Sequence, residues 1–341
     1  MFPLLKLPSL CLRKVFNVSS PRDLILLSLI SKKTYQLLKA LKIRVNVLTL
    51  YEKGNRIIFV DFNNEEWIIN AGRFKEKATV RAVMNGWKIK YYMTNTRMYT
   101  YTDQSLFEFL KFAVHYLTNI FKCQFDRIGF DIDRMKNLNE IFEYGISTDV
   151  FHICLEGTRP VDDEEFLNVL ERFTVKRMTL SLNLSDTFHC DPKLFKTENL
   201  QLANCSSRWI KRETLLEFQR LETFTLCTPG MNSLTTDDLV AFVSKWFHSD
   251  NRHFTRLTFP ANFRLQLDLF AEFNPRAYDP EERGPALRWQ GSITAHGIPC
   301  TRGIDILRKD GLLATVHQRG PVIEFYVWHE RFPDLEGLKI I

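Results

Sequence analysis

Apolar positions recur at helical spacing through residues 2–41 and predict three short helices. The first helix has Leu12, Val15 and Phe16 on one side. The second is apolar at six of the seven positions of 24–30, so a single buried face cannot hold all of its aliphatic side chains. A segment of about 40 residues seldom builds a core of its own. We therefore expect the first two helices to bury part of their surface in another protein.

The apolar period changes to two from residue 43, which predicts an antiparallel β meander over 43–104. The Asn85-Gly86 pair is a strong hairpin signal, because both residues tolerate a positive φ. A long helix is predicted from about 105 to 121.

Short strand-like runs alternate with helix-like runs over 105–270. Successive strands begin about 20 to 33 residues apart, which is close to the period of leucine-rich-repeat solenoids. The pattern predicts a degenerate, leucine-rich-repeat-like, curved α/β sheet. A Pro-rich and charged segment, 271–291, is expected to be an exposed loop, and 292–341 to be a C-terminal β meander. The fold class is therefore α/β, or α+β for the chain as a whole.

Strand alternation divides the repeat-like region into a core face and an outward face. The outward strip consists of small and polar side chains and is a candidate substrate surface. Its members are Asp131, His152, Cys154, Thr179, Ser181, Gln201, Thr225 and Thr258. Two alternatives stay open at this point: the strip is merely solvated, or the Pro-rich loop covers it.

Charge is unevenly distributed along the 341 residues, whose formal net charge is +6. Residues 1–50 hold nine Lys and Arg against Asp23 alone, which suits an acidic partner protein and would also suit nucleic acid. No apolar run is long enough for a membrane span. Seven widely spaced cysteines, without a C-x-x-C pair, are typical of a reducing compartment. We expect a cytoplasmic protein, with the nucleus as the alternative.

Signatures of the common enzymes are absent from the sequence, including phosphate-binding glycine loops, G-x-S-x-G and H-E-x-x-H. The nearest approach to a metal set is His152, Cys154, His189 and Cys190, whose spacing matches no zinc pattern. We expect no catalytic residues, no metal and no cofactor.

The N-terminal segment resembles an F-box. The resemblance rests on the Leu7-Pro8 pair and on Ser28, Ser31 and Lys32, which match an LS-x-x-S-K segment; Thr34 stands where many F-boxes have Trp. It implies docking on the adaptor subunit of a cullin–RING ubiquitin ligase, with the rest of the chain binding a protein substrate. The residues expected to face the adaptor are Leu7, Pro8, Val15, Phe16, Leu24 and Ile30.

A second resemblance covers roughly residues 180–330 and is to the type-2 F-box-associated domain. It rests on Trp209, on SLTTDDLVAFVSKWF, and on GIDILRKDGLLATV with FYVWH. Together the resemblances imply a non-catalytic substrate receptor of a ubiquitin ligase. The alternative is a basic nucleic-acid-binding or scaffold protein without a ligase role. We regard nucleic acid as the weaker choice, because we find no interleaving of aromatic and basic residues in the sheet.

Overall fold

The computed structural model describes residues 7–53, 56–60, 66–71, 80–84, 87–94, 97–102, 106–144, 150–204, 207–227, 233–261, 263–290, 295–333 and 339–340. The chain forms two compact units. Unit 1 comprises Met1–Thr158 with Arg172–Val175, and unit 2 comprises Arg159–Glu171 with Lys176–Ile341. The division falls inside the segment for which the sequence predicts one repeat-like region, 105–270.

Three N-terminal helices open unit 1, as the sequence predicts: α1 Ser9–Val18, α2 Pro21–Ile30 and α3 Lys32–Leu41. The side chain of Ser20 accepts a hydrogen bond from the backbone N–H of Asp23 and caps α2. Ser31 caps α3 in the same way through the N–H of Thr34. A fourth helix, α4 Leu106–Ile120, is the long helix predicted from 105 to 121, although Ser105 itself lies outside the described residues.

Within the described residues, eight strands lie wholly or mainly in unit 1: β1 Ile43–Lys53, β2 Arg56–Val60, β3 Glu66–Ala71, β4 Val80–Met84, β5 Trp87–Met93, β6 Arg97–Thr102, β7 Phe121–Asp131 and β8 His152–Pro160, whose last two residues belong to unit 2. Their order in the sheet is β8-β7-β1-β2-β3-β6-β5-β4. Three pairs, β8 with β7, β7 with β1 and β3 with β6, are parallel. The 43–104 region therefore departs from a simple antiparallel meander at β3, whose neighbour is β6 rather than β4. The hairpin residues Asn85 and Gly86 lie outside the described part, but the strands on either side of them pair antiparallel.

Unit 2 contains helices α5 Asp163–Arg172, α6 Arg212–Glu217 and α7 Thr236–Phe247. Its strands are β9 Arg177–Asn183, β10 Asn199–Leu202, β11 Thr223–Leu226, β12 Arg256–Pro260, β13 Ala286–Gln290, β14 Ala295–Pro299, β15 Ile304–Leu307, β16 Leu313–Arg319, β17 Val322–Trp328 and β18 Lys339–Ile340. Strands β9 to β12 are parallel in chain order. The predicted C-terminal meander, β15-β16-β17, joins them through an antiparallel pairing of β17 with β12. Strands β13, β14 and β18 form a separate small sheet.

The apolar row expected from strand alternation lies in the core. Its members are Ile128, Phe130, Ile153, Leu155, Leu180, Leu182, Leu200, Leu202, Phe224, Leu226, Leu257 and Phe259, each at most 2% exposed. Leu202 lies directly opposite Leu180 on one neighbouring strand and Leu226 on the other. Burial alternates along β9, β10 and β11, which confirms the predicted register of these three strands.

The Pro-rich segment 271–291 was expected to be an exposed loop. Residues 274–282 do form a loop without a buried residue, but Arg283 is fully buried and Ala286 begins β13. The guanidinium of Arg283 lies against the carboxylate of Asp305 on β15, with Nε–Oδ2 at 2.8 Å. A buried ion pair therefore holds this segment onto the C-terminal meander.

Candidate functional site

Helices α1 and α2 expose aliphatic side chains to solvent. Leu10 is 68% exposed, Val18 86% and Ile30 73%. Of the residues expected to face an adaptor, Pro8, Val15 and Ile30 are exposed and Leu7 is half-buried. Aliphatic side chains left exposed on short helices are candidates for a surface that a partner covers.

Two of the six expected adaptor-facing residues are not on the surface. Phe16 is fully buried and Leu24 is 1% exposed. In α1, Phe16 shares the inward stripe with Leu12, four residues earlier. In α2, the face that contains Leu24 and Ile25 packs inside unit 1. The chain thus covers one side of each helix with its own residues, and only the other side is open to a partner.

The exposed helical surface is strongly basic. Arg13, Lys14, Lys32, Lys33 and Lys39 are all exposed. The acid in this segment, Asp23, lies 3.6 Å from the guanidinium of Arg22. Cations around exposed aliphatic groups favour a partner surface that is acidic at its rim and apolar at its centre.

A groove of about 470 Å³ lies beside Ile30, between α2, α3, α4 and β4 of unit 1. Its lining includes Ser28, Ile30, Ser31, Tyr35, Val83 and Tyr116. The rings of Tyr35 and Tyr116 stack with centroids 5.3 Å apart, and the hydroxyls of Ser28 and Tyr116 are hydrogen-bonded. Burial raises the pKa of Tyr116 to about 12. A partner side chain entering beside Ile30 would meet apolar and hydroxyl groups together with Lys32 and Gln36 of α3.

The second candidate surface is the polar row on unit 2. Thr179, Gln201, Thr225 and Thr258 lie directly opposite one another on β9, β10, β11 and β12. The first three are half-buried, as is Ser181, whereas Thr258 is only 6% exposed. The accessible part of this row therefore runs over β9 to β11 and ends at β12.

The row continues beneath the surface on the C-terminal meander. Thr258 lies opposite Glu324, and Glu324 lies opposite His317. Arg256 donates from Nε to Thr258 and from a terminal nitrogen to Glu324, both at 2.9 Å. Burial opposes ionisation of Glu324, but His317 and Arg256 outweigh it and lower the pKa of this carboxyl. Sequence patterns do not reveal this cluster, because Glu324 lies between apolar residues of β17 and meets Arg256 only through strand pairing.

Three members of the predicted strip lie in unit 1 and do not offer an open surface. His152 is 5% exposed and Cys154 is 1% exposed, so both are covered and neither is open to a substrate, contrary to the expectation of an open strip. The thiol of Cys154 donates to Oε1 of Glu156 at 3.3 Å, and burial raises its pKa to about 12. Asp131 is half-buried, 3.3 Å from Nε of Arg134. A neutral buried thiol and a paired carboxylate give no indication of nucleophilic chemistry.

A metal centre is not present among the residues that the structure describes, since no three His, Cys, Asp or Glu side chains lie close enough to hold an ion. Within the same residues, no helix is both long and apolar enough to cross a membrane.

Comparison with known proteins gives relatives without an assigned role. The chain is 25% identical to the uncharacterized Caenorhabditis elegans protein F59B2.8, over 99% of its own length and 80% of that protein. It is 24% identical to the uncharacterized protein F59B2.9 of the same organism, over 99% of its own length and 81% of the relative. No family model matches the chain. No solved structure matches it either.

Proposed function

We propose that the protein is the substrate-recognition subunit of a cullin–RING ubiquitin ligase. In this proposal the N-terminal helices dock on the adaptor subunit, and the remainder of the chain binds a protein substrate without catalysing a reaction itself. The observation that carries the proposal is the set of exposed aliphatic side chains on α1 and α2, with Ile30 at 73% exposure, within a basic surface. The resemblance of the same segment to an F-box supplies the identity of the partner.

The burial pattern supports a docking surface smaller than the one the sequence suggested. Pro8, Val15 and Ile30 remain available, whereas Phe16 and Leu24 act from inside by holding α1 and α2 in place. We therefore assign adaptor contact to the exposed group and a positioning role to the buried pair. The groove beside Ile30 would receive an apolar side chain of the adaptor.

Co-purification tests the adaptor contact. Wild type and a Val15→Glu, Ile30→Glu double variant are recovered from cells in which the proteasome is blocked, and the adaptor and cullin are quantified. Buried aliphatic anchors typically contribute about 1 to 4 kcal/mol each, so the double variant should lose about tenfold or more of adaptor recovery. The control is Leu267→Glu, which places one of the two added negative charges at a leucine of unit 2 that is 51% exposed.

Equal recovery of adaptor by the wild type and the double variant, with both folded by circular dichroism, would remove the support for an F-box role. An equal loss in the Leu267→Glu control would show a general effect of added negative charge. The Leu7→Ala, Pro8→Ala double variant tests adaptor recovery at the same surface without introducing charge.

For the substrate we propose the accessible part of the polar row on β9 to β11. Thr179→Arg and Gln201→Glu change half-buried positions and should leave folding and adaptor recovery intact while reducing recovery of substrates. Thr258→Arg is the contrasting variant, because it forces a second cation against buried Arg256 and should destabilise unit 2. Unchanged substrate recovery in the first two variants would exclude this row as the substrate surface.

A further inference from the structure

One face of the β4-β5-β6 sheet carries cations and tyrosines at alternating positions. Arg81 lies opposite Lys90, Lys90 lies opposite Tyr101, and Tyr92 lies opposite Tyr99. Because side chains alternate along a strand, residues two apart join the same face. We call this the tyrosine–lysine face, and its members are Arg81, Val83, Lys88, Lys90, Tyr92, Arg97, Tyr99 and Tyr101.

The helices of unit 1 pack on the other face of these strands. Trp87 stacks on Phe112 of α4 with ring centroids 5.2 Å apart. Ile89 and Met98 on that side are at most 2% exposed. The core thus anchors the three strands from behind and leaves the tyrosine–lysine face turned away from α4.

Three cations of this face, Arg81, Lys88 and Lys90, lack an acidic ion-pair partner within the described residues, whereas Arg97 lies opposite Glu66 of β3. Residues 80–102 contain four Lys and Arg and no Asp or Glu. Arg81 and Lys88 are exposed, and within the described residues neither they nor Lys90 form an ion pair with an acidic side chain. Unbalanced positive charge on a partly open sheet favours a polyanionic partner.

The tyrosines add a second property that charge alone does not supply. Tyr92 and Tyr99 stack with centroids 4.5 Å apart and planes within 3°, and Tyr101 lies 6.1 Å from Tyr92. Tyr92 and Tyr99 are half-buried and keep part of their ring surface open, whereas Tyr101 is buried and supports them. A rigid row of rings between cations is the arrangement that stacks unpaired bases while lysines and arginines contact the phosphates.

We propose that the tyrosine–lysine face binds single-stranded nucleic acid. Paired bases hide their faces inside a duplex, so a stacking surface selects single strands. An acidic peptide would satisfy the cations but has no base to stack on the rings. The proposal goes beyond the ligase role and does not depend on it, because the cations and tyrosines of this face lie outside the α1–α2 surface; Val83 alone also lines the groove beside Ile30.

Fluorescence anisotropy on the full chain tests the proposal. The probes are a labelled 20-nucleotide oligouridylate, a blunt 20-base-pair duplex and a polyglutamate peptide of equal charge. We expect the single strand to bind more tightly than the other two, and its affinity to fall as salt rises. Lys88→Gln with Lys90→Gln should weaken binding and reduce the slope of log affinity against log salt by about 1.4, or about 0.7 for each phosphate that a lysine no longer neutralises.

Tyr92→Leu separates stacking from charge, since it keeps an apolar side chain and removes the ring. It should weaken binding of the single strand roughly 5- to 100-fold and leave the salt slope unchanged. If Tyr92→Leu lowers the melting temperature of the protein, Tyr99→Leu on the neighbouring strand tests the same stacking contribution. The matched control is Lys33→Gln with Lys39→Gln, which removes two exposed lysines from α3 and should leave affinity within about twofold.

Several outcomes would overturn the proposal. Absence of binding to the single strand is one, and equal binding to oligouridylate, duplex and polyglutamate is another. A loss in the α3 control as large as that in the Lys88 and Lys90 variant would place the binding surface elsewhere. Full affinity for the single strand in both folded tyrosine variants would show that the rings do not stack bases and that the face binds polyanions in general.

Discussion

The buried ion pair between Arg283 and Asp305 gives the sharpest test of how unit 2 is held together. We consider Arg283→Met, which keeps an unbranched side chain and removes the charge. Arg283 is fully buried and Asp305 is 2% exposed. Nε and one terminal nitrogen of the guanidinium bind the two carboxylate oxygens at 2.8 and 3.0 Å.

The expected loss of stability follows from the groups that the variant leaves without a donor. Among the described residues, Asp305 would remain buried with only Thr315 as a side-chain donor, and the carbonyl oxygens of Gly284 and Cys300 would each lose a hydrogen bond. Breaking a buried ion pair by removing one partner typically costs about 3 to 5 kcal/mol. We therefore expect the free energy of unfolding of unit 2 to fall by about 4 kcal/mol, a large share of a normal domain's stability.

Urea unfolding followed by circular dichroism measures this loss, with tryptophan fluorescence as a second probe because Trp328 lies 4.9 Å from the guanidinium. The matched control is Arg208→Met, which breaks an ion pair of 3.1 Å whose side chains are 60% and 51% exposed. An exposed pair of this kind contributes only about 0.2 to 1 kcal/mol. Arg283→Met combined with Asp305→Leu should regain part of the loss, since it removes the orphaned charge.

A loss below about 1 kcal/mol for Arg283→Met, equal to that of the exposed control, would refute the reasoning. It would mean that the pair is hydrated or that its segment detaches without affecting unit 2. If Arg283→Met yields no folded protein, recovery of folded protein in the double variant still distinguishes an orphaned charge from a simple packing defect.

Further changes in unit 2 have smaller expected effects, each measurable by thermal or urea unfolding. Thr235→Ala removes the hydroxyl that caps α7 through the N–H of Asp238 and should cost about 1 kcal/mol; no change would show that water replaces the cap. Burial by itself would raise the pKa of Asp238, but hydrogen bonds from Arg212 and Thr235 outweigh burial and lower that pKa. Asp238 therefore contributes to stability above about pH 4, and this contribution is lost as the pH falls further. Asp238→Asn should flatten the dependence of the unfolding free energy on pH. An unchanged pH dependence in that variant would contradict this prediction. Gly303→Ala places a methyl group against the side chain of Thr315 and should cost about 1 to 3 kcal/mol, whereas Gly284→Ala, with its nearest contact at 3.5 Å, should cost less. Equal costs for the two alanines would show that Thr315 gives way freely.

The sequence was sufficient to predict the strands of the core and which of their residues point inward. Leu180, Leu200 and Phe224 alternate with polar neighbours, and a shift of one residue would have exposed every one of them. The three N-terminal helices were equally predictable, because Ser20 and Ser31 supply caps at the starts of α2 and α3.

Burial by distant partners was not predictable. The apolar pattern of α1 and α2 indicates how much surface must be covered but not by which chain, so Phe16 and Leu24 were assigned to a partner although the chain's own core covers them. Arg283 lies among prolines and charges that indicate a loop, and its burial depends on Asp305, which only the folded sheet brings near.

The tyrosine–lysine face has a pattern that the sequence already contains. Lys88-x-Lys90-x-Tyr92 and Arg97-x-Tyr99 repeat with the period of two that places residues on one face of a strand. The charge analysis of the sequence compared totals, with most weight on residues 1–50, and a total does not reveal which charges share a strand face. The pairing of β5 with β6, which places the two patterns side by side, is what the structure adds. The expectation that the sheet lacks interleaved aromatic and basic residues is therefore wrong for these strands.

The pairing of β12 with β17 sets the order in which unit 2 can be completed during synthesis. Arg256 lies opposite Tyr326, and Leu257 lies opposite Phe325, so the sheet edge formed by β9 to β12 stays open until the last strand of the meander has left the ribosome. In that interval β12 presents unpaired backbone N–H and C=O groups beside apolar side chains, which is the form of edge that other nascent chains can extend. We therefore expect a ribosomal pause within residues 261–328 to lower the yield of folded protein more than a pause placed before β9.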